Sequence, residues 1–143
     1  SMLPNGMVNS NSMVSFNHYA YGAIGDWLYR WAAGLQEAAP GFREIRIKPY
    51  LNDHFTSMKA EQRTPYGLAS SGWTKEGDAL TLTVEIPANT TAEVYVPSAA
   101  ADKVTESGRA LDGRSDLKVA GWDDGYTLVR LGSGRYEFRS TLK

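Results

Sequence analysis

The chain has 143 residues, 42% hydrophobic and 22% charged, with a formal net charge of −1 and no cysteine. That length and balance describe one ordinary globular domain, and near-neutrality removes the electrostatic reason to expect nucleic acid or an anionic membrane as a partner. Without cysteine, disulfides and thiolate zinc sites are excluded, and the compartment stays open.

Residues 1–14, SMLPNGMVNSNSMV, read as a loop. Pro4-Asn5-Gly6 is a turn signal, and the Asn/Ser run 9–12 opposes regular structure. With neither a charged start nor a continuous apolar core, no signal peptide is expected.

Residues 15–36, SFNHYAYGAIGDWLYRWAAGLQ, predict one long helix. Ser15 or Asn17 supplies a cap, the run holds no proline, and Pro40-Gly41 stops the chain beyond it. Phe16, Ala20, Ile24, Trp27, Leu28, Trp31 and Leu35 recur at helical spacing as a wide apolar stripe. Tyrosines and alanines fill much of the remaining surface, and a helix apolar nearly all round is normally buried on several sides. A membrane span is rejected, because Asn17, His18, Asp26 and Arg30 interrupt the run.

Beyond residue 41 the period changes from helical to alternating. Residues 43–48, REIRIK, place Ile45 and Ile47 on one face, and residues 55–63 supply a second strand before the Thr64-Pro65-Tyr66-Gly67 turn. Residues 68–75 lead through Glu76-Gly77-Asp78 into 79–86, where Leu80, Leu82, Val84 and Ile86 face one way. Strands are expected at 92–96, 104–108 and 117–119, with a last hairpin of 125–131 and 135–140 around Gly132-Ser133-Gly134. Eight or so short strands at this spacing predict an antiparallel β-sandwich. Parallel pairing is not expected, since no helices lie between strands as crossovers.

Ser15-Phe16-Asn17-His18-Tyr19-Ala20-Tyr21-Gly22-Ala23, followed by Asp26-Trp27-Leu28-Tyr29, resembles the last helix of the catalytic barrel in bacterial α-L-rhamnosidases of glycoside hydrolase family 78. The resemblance continues through Pro40-Gly41-Phe42, Ile45-Arg46-Ile47-Lys48-Pro49, Thr64-Pro65-Tyr66-Gly67 and Ser71-Gly72-Trp73. It resumes at residues 86–92, 94–97 and 104–108. It implies a C-terminal piece: residues 1–41 a loop plus the terminal helix of an (α/α)6 barrel, and 42–143 the closing β-sandwich. The implied chemistry is inverting hydrolysis of terminal α-L-rhamnosyl groups by two glutamates, one acting as acid and one activating water. Both lie upstream in the family, so the piece alone is expected to be inactive, without cofactor, and prone to self-association through its uncovered helix.

The same resemblance carries over a substrate-binding role to His18, with Asn17 beside it, lining the sugar pocket. Read from the residues alone, His18 is a capping or core histidine. Trp27 and Trp31 are expected in the core rather than stacked on sugar. Asp123-Asp124-Gly125, Asp112-Gly113 and Glu76-Gly77-Asp78 read as turns rather than calcium or catalytic sites. His18 and His54 in different elements do not make a zinc site. Asn89-Thr90-Thr91 is a formal glycosylation sequon that reads as a turn. The alternative to a catalytic-module remnant is a stand-alone carbohydrate-binding or protein-interaction sandwich whose helix is a docking element.

Overall fold

The computed structural model describes Ile24, Gly25 and residues 31–143. Among these residues the chain is mainly β: β1 (Leu35–Glu37), β2 (Glu44–Ile47), β3 (Ser57–Thr64), β4 (Gly67–Glu76), β5 (Ala79–Ile86), β6 (Thr91–Pro97), β7 (Val104–Glu106), β8 (Arg109–Ala110), β9 (Leu117–Asp123), β10 (Tyr126–Leu131) and β11 (Gly134–Thr141). They form a five-stranded sheet ordered β1-β2-β6-β10-β9 and a six-stranded sheet ordered β3-β4-β5-β11-β7-β8.

Alternation drives both sheets onto one core. In β5 the four aliphatics at even positions from Leu80 to Ile86 are buried, as their period of two requires. Ala92, Val94 and Val96 of β6 and Val129 and Leu131 of β10 face them from the five-stranded sheet. Phe138 of β11, fully buried, pairs with Leu82 on one side and Glu106 on the other. Tight turns set the registers. Thr64 pairs with Gly67, and Glu76 with Ala79. Between β9 and β10, Asp124 and Gly125 take φ of 48° and 81°, the left-handed pair that a two-residue hairpin demands.

Three expectations are corrected. First, β2 pairs with β6 in parallel, Ile45 beside Ala92. A parallel pair needs a long crossover, and here β3, β4 and β5 supply it by building the opposite sheet before the chain returns. Second, β10 and β11 are not a hairpin: β10 pairs with β6 and β9, β11 with β5 and β7, so Gly132-Ser133 carries the chain from one sheet to the other. Third, the helix does not reach Gln36. Trp31 and Ala32 are its last helical residues, Gly34 turns left-handed at φ 74°, and Leu35 already belongs to β1. A glycine in that conformation ends helices because it carries no Cβ penalty, so Gly34, not Pro40, is the stop. The rest of the predicted helix lies outside the described residues.

A helix end leaves its last carbonyls without intrahelical donors. Here each finds a separate partner. Trp31 O accepts from Tyr50 N at 3.0 Å, and Gly34 O from Lys48 N at 2.9 Å. Ala32 O accepts from the Trp73 indole and Ala33 O from the Ser71 hydroxyl, each at 2.7 Å. Ser71 and Trp73 alternate inward on β4, so the six-stranded sheet grips the segment that starts the five-stranded one. Ala32, Ala33 and Leu35 are buried by this grip.

The grip yields two predictions. A Cβ on Gly34 would lie closer than 3.0 Å to the backbone of Lys48 and Pro49, whereas one on Gly77, also at positive φ, would meet open space. Gly77→Ala should cost about 1–2 kcal/mol of left-handed strain, and Gly34→Ala more than about 4 kcal/mol; urea unfolding of both variants measures the difference. Ser71→Ala and Trp73→Phe each leave a buried carbonyl without its donor and should each cost about 1–3 kcal/mol. Thr83→Ala, on the exposed face of β5, should stay within about 0.5 kcal/mol of the parent; equal losses at all three positions would show that the carbonyls are not gripped.

Candidate functional site

The backbone bonds that hold residues 31–34 beside 48–50 also gather a surface. Trp31 and Tyr50 meet with ring centroids 5.2 Å apart at 57°, and they remain 46% and 44% exposed. Tyr126 donates its hydroxyl to Pro49 O at 3.1 Å, which brings the start of β10 against the same segment. Lys48 Nζ lies 4.9 Å from the Tyr126 ring centroid and 5.1 Å from that of Tyr95. Those two rings meet edge to face at 6.4 Å. Four aromatic side chains and one ammonium thus form a ribbon across the end of the sandwich where the helix stops. Cation–π contacts of this kind are worth about 0.5–1 kcal/mol each at exposed sites. Burial pushes the Tyr126 phenol above its ordinary value, with Tyr50 and Asp124 adding to the shift. The ribbon offers ring faces and an ammonium, and none of its five members is a carboxylate.

The outward face of the five-stranded sheet is different in kind. Register places Arg46, Glu93, Arg130 and Lys118 in one row across β2, β6, β10 and β9. Glu93 is engaged from both sides, by Arg130 Nε at 3.1 Å and Arg46 Nη2 at 3.7 Å. A groove of about 660 Å³ runs along this row, walled also by Glu44, Asp116 and Ser115. Exposed ion pairs of this sort contribute little, typically about 0–1 kcal/mol, and mark a solvated face.

Glu106 is the buried carboxylate, only 4% exposed. It accepts from Arg114 Nη1 at 2.9 Å, from the Ser107 hydroxyl at 2.6 Å and from Glu137 N at 3.4 Å. Arg114 also grips Asp116 through both of its free nitrogens, which holds the Asp116 carboxyl below the usual carboxylate range and the guanidinium above its own. Fully bonded, Glu106 ties residues 111–116 to β7. Its role is structural.

Asn17 and His18, expected at the sugar site, and Trp27 lie outside the described residues. Trp31, expected in the core, is half exposed, because Ala32 and Ala33 turn inward to be gripped and leave the preceding ring outside. Asp124, Asp112 with Gly113, and Gly77 with Asp78 sit in turns, as their sequences predict. Asn89 likewise occupies a turn at φ 55°, and His54 is exposed. Among the described residues no three His, Asp or Glu side chains come together as a metal site. The ribbon itself went unpredicted. Alternation through Ile45 and Ile47 places Lys48 on the outer face, but nothing local says that Tyr95 and Tyr126 arrive there.

Comparison with known proteins matches the geometry. The bacterial alpha-L-rhamnosidase C-terminal domain family matches residues 34–111, more than half the chain. An α-L-rhamnosidase of Streptomyces avermitilis is 33% identical over 138 residues, covering 96% of this chain and 13% of that protein. One of Formosa agariphila is 33% identical over 132 residues, covering 92% and 14%. The crystal structure of the Streptomyces avermitilis enzyme with L-rhamnose superposes with a TM-score of 0.78 at 32% identity, covering 96% of this chain and 13% of that one. The Aspergillus terreus α-L-rhamnosidase gives 0.67 at 34% identity, covering 97% and 13%. The chain therefore spans about an eighth of the relatives it matches, at 13% of each of these two structures. It belongs to the bacterial α-L-rhamnosidase C-terminal domain family.

Proposed function

We propose that this chain is the C-terminal part of an inverting glycoside hydrolase that releases terminal α-L-rhamnose. Residues 1–41 contribute a loop and the last helix of an (α/α)6 catalytic barrel, and residues 42–143 form the sandwich that closes the protein. The observation that carries the reading is a match over 96% of this chain to 13% of an enzyme crystallised with L-rhamnose.

Inversion needs two carboxyl groups roughly 6.5–9.5 Å apart, one protonating the leaving oxygen and one activating water. Among the described residues Glu93 and Glu106 are occupied by arginines. The acid and base lie upstream, as in the family the chain resembles, and the chain alone is inactive. His18, with Asn17 beside it, forms part of the pocket wall and donates to a sugar hydroxyl; no cofactor takes part. Isolated, the chain self-associates through the apolar stripe of residues 16–35. The exposed rings of Trp31 and Tyr50 leave one second reading, a stand-alone carbohydrate-binding or protein-interaction module.

Release of p-nitrophenol from its α-L-rhamnoside separates the two. The full-length protein should turn it over and the 143-residue chain should not. NMR of the first product should show the β-anomer. His18→Ala in the full-length protein should raise KM by up to about tenfold with a smaller change in kcat, as loss of one hydrogen bond of about 1.4 kcal/mol predicts. Hydrolysis by the chain alone, or tight rhamnoside binding by it, overturns the assignment.

A further inference from the structure

We infer that the ribbon of Trp31, Tyr50, Tyr126 and Tyr95 around Lys48 is an intramolecular docking surface, covered in the complete protein by the polypeptide that precedes this chain. The inference rests on the reading above that a larger body lies upstream.

Position is the first argument. Trp31, whose ring is half exposed in the ribbon, also carries the first of the four gripped carbonyls, so the gripped segment enters the sandwich at this surface. Length is the second. This chain matches 13% of its structurally characterised relatives, so a body many times its size has to meet the sandwich near Trp31.

Chemistry is the third. The outward sheet faces carry charge ladders, Arg46–Glu93–Arg130 on one and Lys59–Glu61 with Arg135–Glu85 on the other. Among the described residues Trp31 and Tyr50 lie half exposed side by side, and tryptophan and tyrosine are residues enriched in interface cores. Lys48 Nζ rests on two ring faces and has no carboxylate partner among the described residues, which leaves its donors for a carbonyl or carboxylate of the covering body.

The same geometry argues against a sugar platform. Tilts of 57° and 79° within the two ring pairs keep the paired rings from forming one continuous shelf for a pyranose. The Tyr126 hydroxyl, a natural sugar contact, is already spent on Pro49 O. An irregular protein surface fits such a relief; a sugar ring does not.

Hydroxyl-radical footprinting of the monomeric fractions tests the inference. Labelling of Trp31 and Tyr50 should fall severalfold from the 143-residue chain to the full-length protein, while Leu68, which is 37% exposed on β4 of the other sheet, serves as the unchanged reference. Tyr50→Ser should lower the melting temperature of the full-length protein and leave that of the 143-residue chain unmoved. Equal labelling in both, in a full-length protein that still hydrolyses the rhamnoside, sinks the docking surface and spares the functional assignment. Covered rings in a protein that hydrolyses no rhamnoside do the reverse. Protection of these rings in the short chain by a rhamnose-containing oligosaccharide overturns the inference in favour of a sugar platform.

Discussion

Four consecutive carbonyls, from Trp31 to Gly34, determine how this chain is put together. A helix end buried without partners for its carbonyls would be intolerable, since each unmet group costs about 1–3 kcal/mol. Two partners come from the backbone at Lys48 and Tyr50, and two from side chains of the opposite sheet at Ser71 and Trp73. The segment therefore touches both sheets before the first strand has formed. Its bonds put Leu35 opposite Ile47, which sets the register of β1 on β2 and hence of β2 on β6. Gly34 makes the approach sterically feasible, because the Lys48–Pro49 backbone occupies the space a side chain would need.

From that junction the molecule divides by chemistry. The interior is aliphatic with two large aromatics, Trp73 and Phe138, and its few hydroxyls are paired: Ser98 with Thr127 at 2.7 Å, Ser140 with Pro97 O at 2.6 Å. Among the described residues no buried side-chain nitrogen or oxygen lacks a partner. Such complete pairing is what allows polar groups inside a core without loss of stability. Outside, the sheets are coated with opposite charges in register. The ribbon around Lys48 is the exception to both, aromatic and with Trp31 and Tyr50 half exposed.

Local pattern made much of this legible. The run ALTLTVEI predicts a strand over 79–86 with its aliphatics inward, and β5 has those bounds and that face. Asp123-Asp124-Gly125 and Glu76-Gly77-Asp78 predict turns because their residues tolerate left-handed backbone, and Asp124-Gly125 and Gly77-Asp78 form them. What sequence period cannot carry is pairing at a distance. The parallel β2–β6 ladder joins residues about 47 apart, as Ile45 beside Ala92 shows, and its crossover is sheet rather than helix. The β10–β11 step looks like a hairpin in every local respect, two alternating runs around Gly-Ser-Gly. It crosses between sheets because β5 and β7 claim both sides of β11. Gly34 was read as one more residue of an alanine-rich helix, and its role emerges only from the closeness of Lys48. The site expected at Asn17 and His18 came from family resemblance, and the described residues do not reach it.

A surface as small as the ribbon is adequate for the role inferred for it. Fully buried aromatic side chains hide about 150–250 Å² each. Covering the exposed halves of two such rings removes about 180 Å² from water, worth about 4–5 kcal/mol as an upper bound. Between separate molecules that would be swallowed by lost translational and rotational freedom. Between parts of one polypeptide that loss is already met by the covalent link, and the effective concentration of the two surfaces is high. A tether gripped at four carbonyls shortens the distance over which the surfaces must find each other to almost nothing. In the inferred arrangement the gripped segment and the aromatic ribbon act as one device: the first fixes where the preceding body stands, and the second holds it there.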